Sequence, residues 1–176
     1  MFAHERIEYM SQSSKMNHAL KQIVIKPLLD IGFTGEFPHY RKVYDNRIEL
    51  LVIEKNKWGN SFTIEISTIY PQYADNERNF ANWKDSIDDV NVWDTFQRYR
   101  LPGMYDGWFY YTDVYAKWIP FFGKDYVAVS ETKKQEFIPP KGYKQVQAAD
   151  DFIYEKICYE VNKQMKKAFE WWKKMA

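Results

Sequence analysis

Between Ser61 and Ile69 the chain alternates, with Phe62, Ile64 and Ile66 on one side of an extended backbone and Thr63, Glu65 and Ser67 on the other. Successive side chains of a strand point to opposite faces, so this pattern predicts a strand with one face on a core and one face polar. Two further runs precede it, Pro38 to Tyr44 and Ile48 to Lys55. The separators, Asp45-Asn46 and Asn56 to Asn60, are turn sequences in a hairpin setting. A three-stranded meander is predicted.

Helices are expected on either side of it. From Ser14 to Ile31 the apolar residues Met16, Leu20, Ile23, Leu28 and Ile31 recur at helical spacings, with Ser13 or Ser14 as N-cap and Gly32 placed to end the helix. Pro27 removes one backbone donor and should kink or weaken the last turn. Residues 1 to 12 read as a loosely held arm. At the other end Ile153, Ile157, Val161, Met165, Ala168, Trp172 and Met175 form one stripe of a helix from Asp150 or Asp151 to Lys174, with an aspartate at the capping position. Such a helix is roughly 37 Å long and crosses a whole sheet.

The middle of the chain is less regular. Between Tyr70 and Asp94 six acids stand against Arg78 and Lys84, and Phe80, Trp83 and Ile87 mark a short helix on an otherwise irregular excursion. That acidity could neutralise the lysine-rich end of the last helix, within the chain or across a dimer. Trp108 to Tyr115 reads as a strand with rings on both faces, and a turn at Gly123 leads to a last short strand, Tyr126 to Glu131. The expected architecture is α+β: an antiparallel sheet of about five strands framed by an N-terminal and a long C-terminal helix, in one domain over residues 1–176.

Charge and composition exclude several classes. Lys+Arg at 25 against Asp+Glu at 24 leaves a formal net charge of +1, so no overall field draws the chain onto nucleic acid or an anionic membrane. No apolar run approaches the ~18 residues of a membrane span, and the polar residues His4, Glu5, Arg6 and Glu8 interrupt any signal-like stretch. Cys158 is the only cysteine, which fits a cytoplasmic setting. Neither a membrane nor a nucleic-acid partner is expected. Aromatic residues make up 19% of the chain, enough for a ring-built core or for a stacking surface.

The stretch Ile25 to Phe33, then Tyr40-Arg41, then the paired strands Ile48 to Glu54 and Phe62 to Ser67, resembles a bacterial family, domain of unknown function 4304. Arg98-Tyr99-Arg100-Leu101 followed by Asp106-Gly107-Trp108-Phe109 is similar to a later segment of that family, although Leu-Pro-Gly here departs from its order. The resemblance implies an α+β fold and a bacterial cytoplasmic origin. It implies no activity.

Chemistry is sparse. His4, His18 and His39 are far apart in sequence, with no cysteine or acidic pair at ligand spacing, so no metal site is expected. No phosphate-cradling, nucleophile-elbow or zinc-protease string occurs, and no cofactor is implied. Cys158 sits mid-helix beside Ile157, where a cysteine packs as a small hydrophobe. Lys163, Lys166, Lys167, Lys173 and Lys174 complement the C-terminal helix dipole, and of Trp171 and Trp172 at most one can point to the core.

The concentrated signal is Arg98, Arg100, Asp106, Trp108 and Tyr110, which Arg41 could join if its strand is adjacent. Arginine forks beside aromatic faces hold a carboxylate, a phosphate or a flat base. The leading expectation is a non-catalytic module, monomer or homodimer, that binds a protein or small molecule through these residues. The alternative is a small hydrolase or transferase whose acid/base groups, Glu65, Asp106, His39 and Arg100, converge only in the fold.

Overall fold

The computed structural model describes residues 10–57, 60–71 and 87–176. The N-terminal helix begins as α1 (Gln12–Ala19), passes through a π-helical segment (Leu20–Ile25) and finishes as α2 (Lys26–Asp30). Its N-cap is Ser11, whose hydroxyl accepts from the Ser14 amide at 3.2 Å, so Ser13 and Ser14 lie inside the helix and Gln12 is already helical. The wider winding stands just before Pro27. Proline has no N–H for the carbonyl four residues back, Ile23, and that carbonyl instead accepts from the Asn162 side chain at 3.2 Å.

The helix ends at Gly32 as expected. Gly32 donates to the Leu29 carbonyl and Phe33 to the Leu28 carbonyl, a pair of bonds that needs the left-handed φ of 98° at Gly32. Leu28 and Phe33, which accompany these bonds, are both buried.

The main sheet runs β1 (Thr34–Glu36), β2 (His39–Val43), β3 (Ile48–Lys55), β4 (Ser61–Ile69) and β5 (Arg98–Arg100), all antiparallel. The two-residue β6 (Phe109–Tyr110) pairs with the start of β4 beyond β5. The predicted runs at 48–55 and 61–69 appear with those bounds. A second sheet was not foreseen: β7 (Asp113–Ile119) lies between β8 (Gly123–Val129) and β9 (Lys144–Gln147). The single strand expected from Trp108 to Tyr115 is divided between the sheets at Tyr111-Thr112, and the strand expected to begin at Tyr126 begins at Gly123. Gln147 spans the break, donating from its side chain to the carbonyls of Tyr110 at 2.8 Å and Thr112 at 2.7 Å.

The last helix, α3 (Ile153–Lys174), buries Ile153, Ile157, Val161, Met165, Ala168 and Trp172, the expected stripe. It has no aspartate side-chain cap, because Phe152 is the N-cap residue. Asp150 instead accepts from the Phe152 amide at 3.0 Å and from the Lys156 ammonium at 2.6 Å.

Both helices share one core with Tyr40, Leu51, Ile53, Phe62, Ile64 and Ile66. Trp172 reaches through to the sheet and donates to the Ser67 carbonyl at 3.0 Å. Trp171 is only partly buried, stacked on Tyr99.

The opposite sheet face differs from expectation. Thr63, Glu65 and Ser67 are polar but not solvated, and all nine residues of β4 are buried. Ile48, Leu50, Val52 and Ile69 form a second cluster there with Val90, which follows a short 3-10 turn at Ile87–Asp89, and Val92, which opens another at Val92–Asp94. Apolar residues on both faces of β3 require such a cover. The described part of the acidic excursion therefore lies across the sheet from α3. The helix anticipated around Phe80 and Trp83, and most of the N-terminal arm, lie outside the described residues.

Candidate functional site

Register across the main sheet decides which predicted residues meet. Glu65 pairs with Arg100 and Ser67 with Arg98, so all four share the second face. Arg100 donates from Nε and Nη2 to Glu65 Oε1 at 2.8 and 2.6 Å, and its Nη2 stands 3.8 Å from Glu54 Oε2. Arg98 Nη1 lies 3.7 Å from the other Glu65 oxygen. Glu65 is 7% exposed, whereas the side chains of Arg98 and Arg100 are 44% and 46% exposed. A buried carboxylate thus fixes two guanidinium groups whose outer parts remain in water.

Trp108 joins them, with the Arg100 guanidinium carbon 5.9 Å from its ring centre. The hairpin that delivers it is built from Tyr105, Asp106, Gly107 and Trp108. Asp106 and Gly107 both take positive φ, 48° and 77°, and the Trp108 amide donates to the Tyr105 carbonyl at 2.9 Å. Asp-Gly is suited to such a turn, so Asp106 has a backbone role in placing Trp108. Gly103 is needed as well, since a Cβ there would stand 2.3 Å from the Trp108 amide nitrogen. Tyr110 follows on β6, its hydroxyl pKa raised by burial and then by Asp106.

Arg41 is not part of this cluster. It lies on β2, separated from β5 by β3 and β4, which at about 4.8 Å per strand is roughly 14 Å. Arg41 donates instead to the Val90 carbonyl at 2.6 Å, and its Nη1 lies 4.0 Å from Asp88.

The acid/base set is also spread out. His39 and Glu65 both pair with Val52, which therefore stands between them. The His39 ring packs edge-on against Trp93 at 5.0 Å, and its Nδ1 is buried without a hydrogen bond. Burial lowers its pKa; Asp94 opposes that shift and Arg41 adds to it. The Thr63 hydroxyl, on the same face as Glu65, is likewise buried and without a partner.

Two clefts lie elsewhere. One of about 660 Å³ is lined by His18, Gln22, Glu131, Asp151 and Tyr154 among others, and one of about 530 Å³ by Met104, Tyr105, Gln147, Lys156 and Tyr159 among others. None of Arg41, Arg98, Arg100, Asp106, Trp108 and Tyr110 lines either. The arginine–tryptophan cluster is a surface on the sheet, while its sequence neighbours Phe109 and Tyr111 belong to the core.

Sequence reasoning passed over Glu54, which strand register brings to this face, and Trp93, which the 3-10 turn Val92–Asp94 sets against His39. No helix among the described residues is long and apolar enough to cross a membrane. No curated protein and no solved structure matches the chain. A family model described as Domain of unknown function (DUF4304) matches residues 24–174, most of the chain, and takes in the first helix from Val24, both sheets and α3, so the chain belongs to that family.

Proposed function

We propose that the protein is a non-catalytic binding module of the bacterial cytoplasm, which holds an anionic group of a small molecule or protein partner on the Arg98–Arg100–Trp108 surface. The observation that carries this reading is the anchoring of both guanidinium groups by buried Glu65, with their outer N–H donors facing solvent beside a large ring. Preorganised arginine forks lose little freedom on meeting a carboxylate or phosphate, and the ring offers a stacking plane. Val52 between His39 and Glu65 leaves no acid/base relay on that row, which favours binding over hydrolysis or group transfer. The cytoplasmic setting is supported by Cys158, a buried thiol with no disulfide.

Native mass spectrometry of protein isolated from its own host tests the proposal. A bound ligand or partner chain is expected on the wild type and reduced in Trp108→Ala and Arg98→Ala. Arg98 is the better arginine to remove, because Arg100 holds Glu65 more closely. If both variants carry the same bound masses as wild type, or wild type carries none, the reading fails.

A further inference from the structure

The β7–β8 hairpin ends in large apolar side chains that stand exposed to solvent. Between Lys117 and Lys124 the chain reads Trp-Ile-Pro-Phe-Phe-Gly, without an acid. Phe121 is fully exposed, and Phe122 and Trp118 are 89% and 64% exposed. Phe121 also takes a φ of 69°, a conformation that bulky L-residues adopt only with strain. A glycine or asparagine would suit that turn position, so the exposed ring has no folding rationale. Ile138, 85% exposed, adds another apolar side chain on the loop leading into β9.

The charges at this end are one-sided. Lys144 is opposite Ala116, and Lys117 reaches Gly142, where a Cβ would lie 3.2 Å from Lys117 Cε. Lys117, Lys124, Lys141 and Lys144 therefore lie at this end of the second sheet, against Asp125, which stands opposite Lys117 and accepts from the Tyr143 hydroxyl.

We propose that this tip docks on an anionic lipid surface, with Trp118, Phe121 and Phe122 entering the headgroup boundary and the lysines resting on the phosphates. Interfacial sites favour tryptophan and other large rings, and reversible docking combines a small apolar insertion with basic residues nearby. A protein partner fits less well: a stable interface takes about 20–30 residues a side, whereas this is a convex hairpin end of six residues. The proposal goes beyond the arginine–tryptophan surface and revises the expectation from net charge, because a total of +1 conceals a local excess of lysine.

The test is flotation of the full-length protein with vesicles of phosphatidylcholine alone or with about 30% phosphatidylserine. Wild type should float with the anionic vesicles, and more weakly at high salt, since screening shortens the reach of the lysines. Phe121→Ser with Phe122→Ser should weaken the partition about tenfold at unchanged unfolding midpoint, and Lys117→Gln with Lys124→Gln should weaken it and flatten its salt dependence. Lys166→Gln with Lys167→Gln, the same loss of charge on the exposed face of α3, should float like wild type, which ties the partition to this tip. The proposal is overturned if wild type ignores anionic vesicles at low salt, if the Phe121/Phe122 variant floats equally well, or if wild type sediments as a dimer that this variant converts to monomer.

Discussion

Glu65 is the residue on which the second face of the sheet turns. Deleting Arg100 leaves that carboxylate buried with only the longer Arg98 contact, so Arg100→Ala should cost about 2 kcal/mol of unfolding free energy, while Arg98→Ala should cost under about 1 kcal/mol. Urea denaturation at neutral pH measures both, and equal losses would show that the geometry does not rank them. His39 supplies a pH test. Its pKa is lowered in the fold, chiefly by burial, so the unfolded chain binds the proton more readily. Stability from this group is complete above about pH 6.5 and falls as pH drops from there through the lowered folded value. Wild type should therefore lose urea midpoint between pH 7.5 and 5.5, and His39→Gln should lose less. Much of this was hidden in the sequence. Arg98, Arg100 and Trp108 are legible as an arginine–aromatic cluster, but which acid meets them depends on register, so Asp106 stood out where Glu65 and Glu54 do the pairing.

At the scale of elements, the N-terminal helix and α3 are coupled through one carbonyl. Ile23 lacks the proline amide it would otherwise receive and accepts from Asn162. Asn162→Ala should cost about 1 kcal/mol in the wild-type background and less in Pro27→Ala, where an amide is restored to the helix. Thermal melts of the four proteins of this cycle give the coupling; additive losses would mean that the two residues act independently. Pro27 announced a perturbed helix in the sequence, yet the partner of the Ile23 carbonyl, 139 positions from Ile23, was not legible, because nothing in either segment's periodicity records the other. Strand boundaries at 48–55 and 61–69 were legible for the opposite reason, being fixed by local alternation and flanking turns. The second sheet was obscured by the continuous aromatic run around Trp108 to Tyr115, which conceals the break that Gln147 spans. Asp106-Gly107 was the available signal for a hairpin just before it.

For the whole molecule, Cys158 reports on the shared core. Its thiol is pushed up to about 12, first by burial and then by Glu155, and no surface is open around it. At pH 8 a thiol reagent should label the native protein only as fast as the core opens, and immediately in denaturant; rapid native labelling would show that α3 does not seal this site. That core joins elements far apart in the sequence, which explains how the overall α+β plan could be read from periodic segments while the cover over the second face could not. The main sheet has a further consequence through the way it ends. Its long ladder, β3 against β4, is enclosed by strands on both sides, and the sheet terminates in β1 and β5 of three residues each and β6 of two. A neighbouring copy in a crowded solution finds only two or three backbone positions at those edges on which to extend the ladder. The most β-prone part of the chain is thereby withheld from the edge-to-edge growth that leads to fibrils.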